Sequence, residues 1–292
     1  MNPRYHVDHL TQYAYTAPVS QSWQLARLSP RVVSVQKLLS HALHIDPKPD
    51  EHHDALDSFG NNVTHFGLHG AHRMLKVRMQ CVVEVADRPA IAAPMHATLE
   101  AVRQALHDEP TLDDLNAARL SQPTLLVPFS GAAHRYASAA LVPERDWFEA
   151  ISELMRAIHD DFEFDPEATT VSTAVDEVLQ HRRGVCQDFA HLMLACLRSH
   201  GLPARYVSGY LLTDPPPGQP RLVGADATHA WVAAYLPHHG WVEFDPTNRQ
   251  LADSRYITLA WGADFADVVP LRGVILGGGE QTLEVEVSVT PQ

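Results

Sequence analysis

The chain has 292 residues, of which 45% are hydrophobic and 20% charged, enough for one large domain or two modest ones and unlike a disordered or miniature protein. No apolar run approaches the ~20 residues of a membrane-spanning helix. Asp and Glu (35) outnumber Lys and Arg (22) to give a net charge of −13, a sign that repels phosphate backbones and anionic lipid, so neither nucleic acid nor membrane is an expected partner.

The first residues, Met1 to Tyr15, lack the basic segment, apolar core and small-residue cleavage site of a secretory leader, and a cytoplasmic protein is expected. Three cysteines, Cys81, Cys186 and Cys196, are too few and too odd in number for a disulfide framework. Histidines number 19, so the negative charge shrinks as pH drops through about 6.5, where solubility should suffer.

From residue 3 to about 86 the pattern predicts short strands. Tyr5-His6-Val7 opens one; Lys37 to Ile45, Val63 to Leu68 and Met74 to Val85 supply others, with Pro, Gly, Asn and Asp between them. An antiparallel sheet or sandwich accounts for them. In the last strand Leu75, Val77, Met79, Cys81, Val83 and Val85 fall on one face, which places Cys81 in a core as a small hydrophobe. Composition changes at Asp87-Arg88-Pro89, and a helical connector is expected as far as about Arg119. Residues 121 to 145, with Pro123, Pro128, Gly131 and Pro143, read as an irregular crossing. Asp146 then caps a helix from Trp147 to His159, paired with Glu149, whose buried stripe is Phe148, Ile151, Leu154, Met155 and Ile158. A further helix from about Thr173 to His181 turns Val175, Val178 and Leu179 inward.

Chemistry concentrates beyond it. Cys186 begins an amphipathic helix that runs through Ala190 to Arg198 and stops at Gly201 and Pro203. Unpaired amides and the helix dipole at that end favour thiolate over thiol, whereas Cys196, mid-helix, meets an apolar interior. A strand from Ala204 to Leu212 and a Pro-rich surface loop, Asp214-Pro215-Pro216-Pro217-Gly218, lead to a β-hairpin. Its arms are Thr228 to Leu236 and Trp241 to Asp245, joined through Pro237-His238-His239-Gly240.

The hairpin register decides whether Asp245 meets His229. With Leu236 opposite Gly240, Asp245 faces Trp231 and lies diagonal to His229; with Leu236 opposite Trp241, it falls on the wrong face. Cooperation therefore requires an odd connection or a bulge, for which Gly240 is the obvious place. Sequence leaves both registers open. In the productive one, Cys186 attacks a carbonyl, His229 takes and returns protons, and Asp245 holds the imidazole tautomer. The Cys186 backbone amide is the expected oxyanion donor, with Gln180 as a candidate side-chain donor.

At these residues the chain resembles the transglutaminase-like superfamily of papain-type cysteine enzymes. The resemblance rests on Gly184-Val185-Cys186-Gln187-Asp188-Phe189-Ala190, on Gly201-Leu202-Pro203-Ala204-Arg205-Tyr206-Val207-Ser208-Gly209-Tyr210, on Thr228-His229-Ala230-Trp231-Val232, and on Gly240-Trp241-Val242-Glu243-Phe244-Asp245-Pro246-Thr247. The order Cys, His, Asp with separations of 43 and 16 fits; Thr228 stands where many relatives have serine. The front half resembles the β-rich region that precedes this core in bacterial members. The resemblance implies an α+β protein with an antiparallel β-sandwich-like domain (1–90), a connector (91–145), a papain-like catalytic core (146–255) and a C-terminal extension (256–292). It implies acyl-thioenzyme chemistry on a peptide or protein amide or isopeptide bond, by hydrolysis or by transamidation, and hydrolysis is favoured as making the fewest demands. No calcium motif is present, and no metal or cofactor is expected.

After Gly277-Gly278-Gly279, the alternation of Leu283, Val285, Val287 and Val289 predicts a closing strand, free to join either sheet. Two rival readings are weaker. A metal hydrolase would need better than His52-His53, His238-His239 and the pair His69 and His72, which read as solvated loop histidines. A binding module would present Trp231, Tyr235 and Trp241 to a partner, although hairpin aromatics are more often core.

Overall fold

The computed structural model describes residues 2–88, 97–108, 110–213 and 228–292; the Pro-rich loop at 214–218 lies outside the described residues. The chain opens with β1 (Arg4–Ala26), a single strand of 23 residues where a short one is expected. Its inward row begins Tyr5, Val7, His9, Thr11, and the two polar members hide the alternation from a hydrophobic pattern. The strands β2 (Gln36–Asp46), β3 (Glu51–Leu56), β4 (Asn62–Leu68) and β5 (His72–Val85) complete a curled antiparallel sheet in the order β2-β5-β1-β4-β3. A register shift between Ala14 and Val19 divides β1, so that its first part pairs with β5 and its last part with β4. Leu75 to Val85 alternate as predicted, and Cys81 is buried in this core. His52 and His53 lie on the exposed edge strand β3, not in a loop.

Helices follow: α1 (Leu99–Asp108), α2 (Leu112–Ala118) and α3 (Gly131–Ala137). The last occupies part of the stretch read as irregular; Ser130 caps it by accepting from the Ala133 amide at 3.0 Å. In α4 (Trp147–Asp161) Asp146 accepts from the amides of Phe148 and Glu149, while Glu149 returns no bond. Two short parallel strands, β6 (Glu163–Phe164) and β7 (Arg183–Gly184), bracket α5 (Val175–His181) and deliver the chain to α6 (Cys186–Ser199). The strands β8 (Ala204–Leu211), β9 (Thr228–Leu236), β10 (Gly240–Asp245), β11 (Gln250–Leu251) and β12 (Tyr256–Gly262) form a second sheet ordered β11-β10-β9-β8-β12. Finally β13 (Leu271–Gly277) and β14 (Gln281–Pro291) return to β1, so the closing strand joins the N-terminal sheet.

The two sheets share a core. Tyr210, Ile257 and Leu259 of the second sheet pack with Val7, Met79 and Val287 of the first. Polar groups crossing the seam are matched. His9 Nδ1 lies 2.9 Å from the Tyr210 hydroxyl. The outer edge of β12 would expose unpaired backbone, but the buried Gln36 amide donates to the Thr258 carbonyl (2.8 Å) and accepts its N–H (2.8 Å). Asn61 does the same for Trp261, at 2.8 and 3.0 Å. Two side-chain amides thus act as a surrogate sixth strand.

Candidate active site

Cys186 is the first residue of α6 and only partly exposed. Val185 at the N-cap has no side-chain acceptor for the first amides of α6, while Asp188 accepts from the Val185 amide itself at 2.8 Å. Thr169 also donates to that carboxylate, at 2.6 Å. A Cβ on Gly184 would stand 2.8 Å from Asp188 Oδ2, so this turn closes only around glycine. Burial raises the Asp188 carboxyl above its usual range, against these hydrogen bonds. The remainder of α6, from Asp188 to Arg198, is buried, and a helix packed all round holds its first residue in place. The other two thiols are buried. Burial pushes Cys81 up to about 12 and raises Cys196, at 0% exposure, further still.

The hairpin adopts the productive register: Leu236 pairs with Gly240 and Val232 with Phe244. One step further, Asp245 faces Trp231 and lies diagonal to His229. The connection is Pro237-His238-His239, made possible by left-handed backbone at His238 (φ 63°) and Gly240 (φ 95°). Opposite His229 on β8 is Gly209, where a Cβ would stand 2.7 Å from the Trp231 ring and closer still to the Ile257 carbonyl. Trp231 therefore settles over Gly209 and stacks on His229, with centroids 6.0 Å apart.

His229 Nε2 donates to Asp245 Oδ2 at 2.7 Å, with the carboxylate fully buried. The same oxygen accepts from Tyr256 Oη (2.6 Å) and Asn248 Nδ2 (2.7 Å), while Oδ1 takes the backbone amides of Thr247 (2.8 Å) and Asn248 (3.2 Å). Burial works to raise the Asp245 carboxyl, but the His229 charge and this web of donors hold it below the usual range. The Cys186 side chain also lies near enough to His229 to act on its charge. Burial would lower the pKa of His229; Asp245 and Cys186 outweigh that and push it up to about 10. Near neutral pH the ring is therefore an imidazolium, held by Asp245 through one nitrogen, with Nδ1 left for the thiol. A thiol beside an imidazole that a carboxylate holds can form a thiolate, relay its proton and keep the ring oriented.

The structure thus brings Cys186, His229 and Asp245 together. Gln180 lies exposed on the last turn of α5 and, among the described residues, makes no hydrogen bond to either Cys186 or His229. Trp231 and Tyr235 are buried and Trp241 half-buried, so they do not form an exposed aromatic surface. Tyr256 and Asn248 are supporting residues that sequence reasoning missed. Asn248 follows Asp245 in a turn and was open to inspection, since Asn near a buried Asp is a natural donor; Tyr256 reaches Asp245 only through the sheet.

Comparison with known proteins bears on the family and the fold. A family model described as the transglutaminase-like superfamily core matches residues 134–246, and one described as the bacterial transglutaminase-like N-terminal region matches residues 5–84. An uncharacterized protein of Mycobacterium tuberculosis strain H37Rv is 40% identical over 99% of this chain and 93% of its own length. A protein-glutamine gamma-glutamyltransferase of Pseudomonas aeruginosa is 37% identical over 97 residues, 32% of this chain and 14% of that protein. Among solved structures, a candidate cysteine protease of Cytophaga hutchinsonii aligns over 99% of this chain and 91% of its own, with a TM-score of 0.74 at 19% identity, a likeness of fold.

Proposed function

Because this chain belongs to the transglutaminase-like superfamily, in the bacterial form with a β-rich N-terminal region, we propose that it is a cysteine-dependent acyl-transfer enzyme that hydrolyses amide or isopeptide bonds of a peptide or protein. Cys186 is the nucleophile, His229 the general acid and base, and Asp245 the group that orients the imidazole. The observation that carries this reading is the buried His229–Asp245 hydrogen bond, with the Cys186 side chain near enough to act on the same imidazole. The Cys186 thiolate adds to the carbonyl carbon, and the oxyanion is met by the Cys186 backbone amide at the start of α6. Imidazolium then protonates the leaving nitrogen, the C–N bond breaks, and a thioester remains. Water attacks the thioester while neutral His229 takes its proton; the C–S bond breaks, releasing the acid and restoring the thiolate–imidazolium pair. Three free thiols support a reducing, cytoplasmic setting for this chemistry.

Alkylation by iodoacetamide, followed across pH by peptide mass spectrometry, tests the pair, with Cys81 and Cys196 as internal controls. Cys186 should react fastest below pH 8, and His229→Ala should abolish that advantage; equal, slow reaction of all three thiols removes the basis for catalysis. Transamidation is the second reading, favoured by the similarity to the Pseudomonas aeruginosa enzyme. A fluorescent primary amine separates the two: incorporation into a glutamine-containing acceptor at the expense of the free acid marks an amine acceptor, and release of free acid alone marks water.

A further inference from the structure

On the same face of the second sheet as His229, Arg205 of β8 stands opposite Ala233. It is 8% exposed. Its guanidinium is held between two indoles, 3.7 Å from the Trp261 ring centroid and 4.3 Å from that of Trp241, and Arg31 covers the Trp261 ring at 3.6 Å. Among the described residues it makes no hydrogen bond and no ion pair, and its Nε is buried without a partner. Aromatic faces recover part of the cost of burying a cation but satisfy none of its five N–H donors. The neighbouring acid, Glu243, is already engaged: its Oε2 accepts from Arg88 (2.9 Å) and from the Trp231 indole (2.9 Å).

Arg205 lines two cavities. One, of about 470 Å³, is walled by Arg88, Arg205, Trp241, Trp261 and Glu243; the other, of about 590 Å³, by Arg205, Tyr235, His238 and Trp241 among others. The first wall carries two guanidinium groups against one carboxylate, a local excess of positive charge in a chain of net charge −13. We propose that Arg205 is an oxyanion-binding site, taking the carboxylate or phosphate group of a small organic ligand whose body fills the adjoining cavity walled by Arg88, Glu243, Trp241 and Trp261. The planar fork matches such a group in bidentate fashion, and indole walls exclude the water that would screen it. A cavity of this size suits a compact organic anion, not a bare ion alone. Its wall residue Glu243 touches Trp231, which stacks on His229, so the ligand sits two side chains from the imidazole. Binding needs no thiol, and Cys186→Ala should bind as the wild type does, which separates this site from the catalytic reading.

The test is titration of the wild-type protein with sodium succinate and, separately, sodium phosphate, read by tryptophan fluorescence and melting temperature against sodium chloride at matched ionic strength. A saturable response to at least one is expected; whichever binds more tightly identifies a carboxylate or a phosphate as the preferred group. Arg205→Lys keeps the charge but not the fork and should weaken binding roughly tenfold while retaining the circular dichroism of the folded protein. No saturable response in the wild type, or unchanged affinity in a folded Arg205→Lys, overturns the proposal. Should that variant not fold, the anomalous signal of selenate in wild-type crystals decides: a peak on Arg205 supports the site, and a peak elsewhere or none overturns it.

Discussion

Two buried histidines, one at the catalytic edge and one at the seam between the sheets, have opposite fates. His229 is pushed up to about 10 and His9 down to about 4, although neither has much access to water. Burial disfavours the cation at both; the difference is the partner. His229 meets the Asp245 carboxylate at 2.7 Å, whereas His9 meets two neutral hydroxyls, Tyr210 at 2.9 Å and Thr11 at 3.1 Å. The lesson is that a buried imidazole becomes a charged, reactive group only where the fold also delivers an anion.

The sharpest way to break the contrast is to take that anion away. Asp245→Asn keeps the shape and the polarity but leaves His229 no carboxylate, and turnover of an amide substrate should fall about 10³- to 10⁴-fold. The same variant should change the pH dependence of stability. Raised above its unfolded value of about 6.5, His229 contributes stability that is fully present below that pH and is lost as pH climbs through about 10. Denaturant titrations between pH 7 and 10 should therefore show a decline in the wild type that is flattened in Asp245→Asn; an unchanged decline would mean that His229 is not the group responsible.

Two histidines that burial depresses make the mirror-image prediction. His9 and His191, both lowered to about 4 by burial, contribute stability present above about 6.5 and lost as pH falls through 4, because the unfolded chain takes up their protons first. Each should steepen the loss on this acid limb by about 1.4 kcal/mol per pH unit. His9→Gln is polar and cannot titrate, so it should remove one such share while His191 keeps the other. Urea denaturation at half-unit steps from pH 6.5 to 4 measures the slope, and an identical slope in the variant would show that His9 takes up its proton in the folded protein as readily as in the unfolded chain.

These two histidines also mark what a sequence reveals. The helix start at Cys186, the alternation of β5 and the two arms of the hairpin are local patterns, and each appears where it was expected. Which face Asp245 takes is not local: it rests on left-handed backbone at His238, a residue whose side chain gives no hint of it. His9 and Thr11 hid the length of β1 by placing polar groups in a buried row, groups whose partners lie across the seam or on the strand itself. Gln36 and Asn61 were silent for a related reason, since an amide that imitates a strand is recognisable only beside the edge it covers. Removing one should be costly in proportion: Gln36→Ala leaves the Thr258 N–H buried without its partner and its carbonyl with the Arg31 amide alone (3.2 Å), and should destabilise by about 1–3 kcal/mol in urea denaturation. A loss well below that would mean that β12 finds other partners.

Gln180 tests the catalytic edge by the smallest effect. Its place six residues before Cys186 makes it a candidate second oxyanion donor on sequence grounds, against the commoner reading of a solvated helix-end glutamine, and an oxyanion donor is worth about 10²–10³ in turnover. The fold argues the other way: α5 ends in the left-handed residue Arg182 (φ 56°) before the chain enters β7, and the Gln180 side chain remains in water. A solvated amide has no fixed orientation to offer a developing charge, which is what makes preorganised donors effective. Gln180→Ala should therefore change turnover by less than about twofold, within what an exposed substitution does. A fall of a hundredfold would show that α5 moves toward Cys186 when substrate binds, and that the second donor is supplied by motion and not by the resting fold.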